Sequence, residues 1–193
     1  WDTRHVPYDV ANAEHLAMSD SAGMINLSHF PIMDIKGPDA ERMLEYLSVA
    51  KVGSNTPEGK VIYTNFLDED GGVHADLTIS RLEADSYRVV TGGADGNRDW
   101  VTLRNYRDDN GLNADINIRT HDIATLGLWG PKAVSALGNF IDPNEISIEN
   151  FPFVTAKNLT LNLTGGKKVD VWAARISYVG ESGWEIYFNN DKE

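Results

Sequence analysis

With 193 residues, 41% of them hydrophobic and 24% charged, the chain can bury one sizeable core or two smaller joined ones, and its composition excludes a disordered, collagen-like or coiled-coil protein. A net charge of −12 repels nucleic-acid phosphates, which argues against a nucleic-acid partner; the acidity reads as solubility or a saline habitat. The absence of cysteine removes disulfides, thiolate metal sites and a cysteine nucleophile together.

The opening residues, Trp1-Asp2-Thr3-Arg4-His5, are polar and charged, unlike a signal peptide. A cytoplasmic location is expected, or the mitochondrial matrix in a eukaryote. The longest apolar stretch, 123–129, is broken by Thr125 and Gly127, far short of the roughly 20 residues a membrane helix needs. Residues 10–22 are expected to form a helix. Residues 24–35 alternate, with Ile25, Leu27, Ile32, Met33 and Ile35 at strand-like positions. Gly37-Pro38 then opens a helix, because proline loses nothing at a helix start where its missing N–H would be unpaired. Ala40, Met43, Leu44 and Leu47 follow as one apolar stripe.

Residues 61–67 and 73–80 read as a hairpin around the turn Asp68-Glu69-Asp70-Gly71-Gly72. The alternation puts Val73, Ala75, Leu77 and Ile79 on one face and His74, Asp76, Thr78 and Ser80 on the other. A strand at 87–91, a helix at 98–107 and strands at 114–118 and 124–129 follow, then β structure at 158–163, 169–178 and 184–188. Met33 to Ala40 is echoed by Gly127 to Ala133: each strand ends in Gly-Pro before a helix, with Ala and Leu at equal offsets. Two copies are too few for a solenoid. Strands and helices mixed with antiparallel hairpins predict an α+β fold rather than a doubly wound parallel sheet. Passage between lobes is expected at 54–60 and 142–152, and the end at Lys192-Glu193, just past a strong β segment, suggests a fragment of a longer chain.

Several features carry no chemistry. Gly92-Gly93-Ala94-Asp95-Gly96 fails the spacing of a dinucleotide-binding loop. His5, His15, His29, His74 and His121 show no zinc-ligand spacing, so no metal site is expected. Two places remain. Tyr63 and Asp76 lie on adjoining strands of one hairpin, and an aspartate is disfavoured inside a strand. Spacing alone favours an Asp76 bonded to a neighbouring amide. The segment from Arg175 to Ile186 places two carboxylates, a tyrosine and a tryptophan around a glycine-bounded turn, which alone is an ordinary hairpin with an aromatic anchor.

Tyr178-Val179-Gly180-Glu181-Ser182-Gly183-Trp184-Glu185 resembles the Tyr-Thr-Gly-Glu-x-Gly-aromatic-Glu signature of the glycine-cleavage T-protein (aminomethyltransferase) family, departing only at Val179. The hairpin with Gly71-Gly72 and Asp76-Leu77, the 63-to-76 Tyr-to-Asp offset, Gly23 to Phe30 (with Asn26 for Asp) and Gly130-Pro131 resemble further family segments in the same order. Phe151-Pro152-Phe153 and Arg175-Ile176-Ser177-Tyr178 look closer to the folate-binding halves of dimethylglycine and sarcosine dehydrogenases and oxidases.

The resemblance implies a T-protein-like fold: a first lobe at 1–50, an inserted ferredoxin-like lobe at 51–130 and the first lobe continued at 131–193, without the C-terminal barrel. It implies tetrahydrofolate as cofactor, with FAD confined to a separate domain. It implies transfer of a methylene unit from an N-methyl amine onto folate N5/N10. Glu185 would grip the pterin and Tyr178 line its pocket, with Asp76 the catalytic carboxylate and Tyr63 positioning Asp76 or the folate. The implied partners are a small amine donor and a flavin domain or lipoyl carrier protein. The alternatives are a stand-alone glycine-cleavage aminomethyltransferase, a folate-dependent S- or O-demethylase, or a non-catalytic folate-binding module.

Overall fold

The computed structural model describes residues 8–53 and 55–190; the polar opening 1–5, Ser54 and the terminal Lys192-Glu193 singled out above lie outside the described residues. The elements are α1 (Tyr8–Asp20), β1 (Gly23–Asn26), β2 (Ile32–Lys36), α2 (Ala40–Leu47), β3 (Val61–Leu67), β4 (Val73–Glu83), β5 (Ser86–Thr91), α3 (Gly96–Asp109), β6 (Asp115–Ile118), β7 (Ile123–Trp129), α4 (Ala133–Leu137), β8 (Thr155–Asn162), β9 (Lys168–Arg175) and β10 (Gly183–Asn189). They build two five-stranded sheets, β1-β7-β10-β9-β8 and β3-β4-β5-β2-β6. Every pairing is antiparallel. The expected α+β class holds, and among the described residues no sheet closes into a barrel.

The chain does not form the single alternating stretch expected at 24–35. β1 belongs to the first sheet and β2 to the second. Between them Asn26 Oδ1 accepts the Ser28 N–H at 3.0 Å, a local turn that competes with strand continuation. Leu27 is buried and its N–H reaches the Thr125 carbonyl. The chain returns at residues 119–122, where the Arg119 N–H donates to the Ile32 carbonyl. The crossings are therefore two short anchored segments, near 27–31 and 119–122. The segment 54–60 joins two elements of the second sheet, and 142–152 stays within the first layer, so neither passes between sheets. Sheet limits fall at these crossings, not at 50/51 and 130/131: α2 and β2 join the second sheet's layer, and β7 the first.

Three buried clusters organise the layers. The first packs α2 and α3 on one face of the second sheet, around Met33, Ile35, Met43, Leu44, Phe66, Leu77 and Leu103. Burying each such Met or Leu contributes about 1.5–3 kcal/mol. The second packs α4 and the 141–151 segment on one face of the first sheet, around Leu137, Phe151, Leu159 and Trp184. The third joins the two remaining faces: Ile32, Val61 and Val90 from the second sheet meet Ile123, Ala156, Ala174, Ile176 and Tyr187 from the first. An isolated bridge from Lys60 to Thr155 stitches the sheets together beside it.

The two Gly-Pro echoes share a backbone reason. Gly37 has φ 145° and Gly130 φ 124°, and each ends a strand just before a helix. A Cβ on Gly37 would meet the Asn113 carbonyl oxygen at 2.5 Å; on Gly130 it would meet those of Met18 and Ser21 at the same distance. G37A and G130A should each lose about 1–3 kcal/mol. Because the two turns serve different sheets, their losses should add in the double variant. Urea-denaturation midpoints read both; a G130A chain as stable as the native one would contradict the backbone described here.

Candidate functional site

The faces left uncovered by helices carry the polar residues of interest. On β4, Ala75, Leu77 and Ile79 go into the helix-side core, so Asp76 and Thr78 point the other way, toward the first sheet. On β3, Tyr63 shares the face of Val61, which packs in the inter-sheet cluster. The period-two alternation thus sets Tyr63 and Asp76 side by side on one open face. The Tyr63 hydroxyl donates to Asp76 Oδ2 at 3.0 Å. That bond, and then the carboxylate's charge, push the Tyr63 phenol above its ordinary pKa, so it stays a proton donor. The local reading of Asp76 as bonded to a neighbouring amide is not what the structure shows. Tyr63 is 66% exposed, and Asp76 is exposed beside it.

Glu185 sits on the facing sheet. On β10, Trp184, Ile186 and Phe188 enter the α4-side core, so Glu185 and Tyr187 turn toward the second sheet. Its cross-strand partners are Gly127 on β7 and Ala174 on β9, small residues on both sides. A Cβ on Gly127 would overlap the Trp129 ring at 2.0 Å, because the indole lies across that glycine. Trp129 is fixed there by its indole N–H, which donates to the Ile176 carbonyl at 2.7 Å. Glu185 is only 6% exposed. Its carboxylate accepts from the Tyr187 hydroxyl and has no ion pair among the described residues. Burial pushes its carboxyl above the ordinary glutamate range, partly offset by the Tyr187 bond.

Tyr178 connects the two faces at one end. It is exposed, packs against Trp129 with ring centroids 6.5 Å apart, and meets Phe30 edge-on at 5.5 Å. His29, next to Phe30, lies against the turn after β5, where a Cβ on Gly93 would come within 2.6 Å of the imidazole. This close approach favours a glycine at 93, and Pro31, 2.3 Å from a Cβ on Gly96, favours one there. The register continues from there to Asp76: Thr91, at the head of the turn, pairs with Leu77. All four expected site residues are therefore placed on or beside the two facing surfaces, Tyr63 with Asp76 and Glu185 near Trp129 and Tyr178.

Sequence reasoning missed Tyr187, Trp129 and Arg88. The Arg88 guanidinium from β5 forms a two-pronged bond to Asp34 at 2.8 and 2.9 Å and lies 4.8 Å over the Trp172 ring. Strand alternation from Glu185 points to Tyr187; nothing local marks Arg88. The two subgroup-like segments meet: Arg175 donates to the Phe151 carbonyl at 2.8 Å. Two cavities are lined by neither Glu185 nor Asp76. One, of about 570 Å³, is lined by Arg88, Arg119, Trp172, Tyr187 and Asn189; the other, of about 680 Å³, flanks Tyr46, His74 and Tyr106 on the helix side. Among the described residues no three His, Asp or Glu side chains gather as a metal site, and no helix is long and apolar enough to cross a membrane.

The family described as the GCVT N-terminal domain matches residues 3–193. Mitochondrial sarcosine dehydrogenase of Mus musculus is 32% identical over 90% of this chain and 20% of its own length. An aminomethyltransferase of Corynebacterium aurimucosum is 30% identical over 95% of this chain and 48% of its own. The chain thus spans from a fifth to about half the length of these relatives. Among solved structures, the glycine cleavage system aminomethyltransferase T from Bartonella henselae superposes with a TM-score of 0.75 at 22% identity, covering 91% of this chain and 44% of that one. A heterotetrameric sarcosine oxidase from Corynebacterium sp. U-96 gives 0.59 at 14% identity, covering 94% and 84%. At these identities the superpositions show a shared fold.

The buried carboxylate sets a pH signature. A carboxyl whose folded pKa is raised stabilises the fold below the ordinary glutamate range, and that contribution is lost as pH rises through its folded value. E185Q is neutral throughout. In the ligand-free protein, its melting temperature should gain on the native chain's as pH rises from acid to neutral. Thermal melts from pH 4 to 8 test this; a constant difference would show that Glu185 is not a strained buried acid.

Proposed function

Because the chain belongs to the family of GCVT N-terminal domains, we propose that it is a tetrahydrofolate-dependent one-carbon transfer domain that accepts a methylene unit from an N-methyl amine. The observation that carries this reading is Glu185: a buried carboxylate with no ion-pair partner among the described residues, on a face opposite the Tyr63–Asp76 pair. Such a group is stabilised by a ligand that brings its own donors. A pterin edge offers a ring N–H and an exocyclic amine side by side, which a carboxylate accepts as a pair. The residues present fit that ring: Phe30 and Tyr178 supply apolar aromatic surface at one end of the facing surfaces, with the buried Trp129 behind Tyr178.

Tetrahydrofolate, when bound, supplies the nucleophilic nitrogen, so no protein nucleophile is called for. Glu185 orients the heterocycle through hydrogen bonds that strengthen in a site shielded from water. Asp76, opposite, carries a negative charge where a cationic methylene donor gains from it, and it is placed to take the proton released at nitrogen. Tyr63 holds Asp76 by its hydroxyl and remains protonated, so it can hand over its bond without ionising. The protein's largest contribution is to hold donor and acceptor in attack geometry.

The donor is assigned as an N-methyl amine oxidised by a flavin domain elsewhere in the full protein. The likeness to sarcosine dehydrogenase and the Phe151–Arg175 contact favour it. A second reading, a glycine-cleavage aminomethyltransferase taking its unit from a lipoyl carrier, draws support from the aminomethyltransferase relatives. A non-catalytic folate-binding module is the less supported reading, because Asp76 keeps its own hydroxyl partner on the open face.

Calorimetry with tetrahydrofolate tests the grip: E185Q should bind roughly 10- to 100-fold more weakly, the loss of hydrogen bonds to a charged acceptor. Unchanged affinity would remove the pterin assignment. D76N should keep binding within a few-fold and lose about 10²-fold or more in one-carbon transfer by the full protein. Full transfer by D76N would assign the proton step elsewhere. Sarcosine and the lipoyl-bound aminomethyl unit, offered in parallel, separate the two donors.

A further inference from the structure

Glu185 does not stand alone in its burial. Tyr187, two residues along β10 on the same face, is 2% exposed and donates its hydroxyl to Glu185 Oε2. Its ring rests 4.9 Å from Trp172 of β9. From the opposite sheet, the Arg88 guanidinium stands 6.0 Å from the Tyr187 ring and 4.8 Å from Trp172. Arg88 is itself locked by both oxygens of Asp34, which also lies 3.4 Å from Arg119. A chain of contacts thus runs from a salt bridge on the second sheet, through a cation–π contact, to the phenol that touches the buried carboxylate of the first.

We propose that Tyr187 is a positioning residue for Glu185: its hydroxyl occupies one carboxylate oxygen and fixes the plane of the group, while Arg88, clamped by Asp34, holds the phenol in place from the opposite sheet. This rests on the reading of Glu185 as the carboxylate that grips the ligand. The hydroxyl is the only side-chain donor to Glu185 among the described residues, so it alone offsets the burial of the charge. Burial, and then the adjacent negative charge, drive the Tyr187 phenol well above its ordinary pKa. While Glu185 is ionised the proton therefore stays on tyrosine, and the bond runs from the phenol to the carboxylate. The facing strands β3 and β4 bring Tyr63 and Asp76 opposite Glu185, and among the described residues no charged group is bonded to it. β7 contributes Thr125 and Gly127, β9 contributes Trp172 and Ala174, and the charges beyond are Arg88, Asp34 and Arg119. Tyr187 also walls Glu185 from the 570 Å³ cleft that it lines with Arg88 and Arg119.

The role has a readout in the ligand-free protein. With glutamate side-chain carboxyls labelled with carbon-13, the resonance absent from E185Q reports Glu185 through a pH titration by NMR. Y187F should move its midpoint upward, because the ionised form loses its donor. Replacing Tyr187 by 3-fluorotyrosine, a stronger donor of nearly the same shape, should move it downward. This second variant keeps the question open to measurement if Y187F does not fold. Tetrahydrofolate affinity should follow: for each pH unit that the midpoint rises above the assay pH, binding falls about tenfold and is regained in more alkaline buffer. A midpoint unmoved by the fluorinated residue overturns the proposal, as does an affinity loss in Y187F that is equal at every pH. If the native chain binds no tetrahydrofolate while the two midpoints still move apart, the folate reading fails and the positioning of Glu185 stands.

Discussion

A carboxylate enclosed between two sheets, with a phenol as its hydrogen-bond partner, is the constraint around which the rest of the molecule is arranged. Taking a charge out of water costs several kcal/mol even after relaxation. The fold meets that cost through its neighbours rather than by an ion pair. Gly127 and Ala174 leave room on both sides of Glu185, the Trp129 ring fills the space over Gly127, and the Tyr187 hydroxyl supplies a hydrogen bond. Each has a structural reason to be where it is, and together they leave an acceptor that a flat donor pair can satisfy.

The three cores divide stability from function. Helices α2 and α3 cover one side of the second sheet, and α4 with the segment before β8 covers one side of the first. Among the described residues these two clusters hold four of the five fully buried aromatic side chains, Tyr87 and Phe66 in the first and Trp184 and Phe151 in the second, the fifth being Trp129, and contribute most of the hydrophobic stabilisation. The third cluster, between the sheets, is the smaller one and carries Ile32, Val61 and Val90 against Ile123 and Ala174. Its margins, not its centre, bear the polar groups. A site built on the edges of an inter-sheet contact inherits rigid strands from both layers, which is the condition for holding two reacting groups in register.

The period-two pattern made much of this legible. It gave the hairpin of β3 and β4, the outward direction of Asp76 and the two strand–Gly-Pro–helix units, because a strand's alternation and a turn's chemistry are local properties. What it could not give was the partition of strands between sheets. Residues 24–35 read as one strand-like stretch, yet the bond from Ser28 N–H to Asn26 and the burial of Leu27 divert the chain from one sheet to the other. Pairing partners lie far off in sequence, so the changes of sheet near 30 and 120 carry no local mark. At the site, the Tyr63–Asp76 pairing and Glu185 could be named from segments that resemble a family. The Arg88 contact with Asp34 joins residues 54 apart and has no local signature.

The two carboxylates are each met by a tyrosine hydroxyl, and the difference between the pairs follows from exposure. Tyr63 and Asp76 are open to water, where a hydrogen bond is readily exchanged for one to solvent or ligand. Tyr187 and Glu185 are enclosed, where the same bond is electrostatically stronger and its loss leaves a buried charge bare. A group that must take up and release a proton is served by the first setting, because water and substrate can both reach it. A group that must present one fixed edge to a heterocycle is served by the second. The same pair of functional groups, set in two dielectrics by the alternation of two strands, therefore sorts itself into an open pair at residues 63 and 76 and an enclosed pair at residues 185 and 187, the two settings that the proposed reaction and recognition call for.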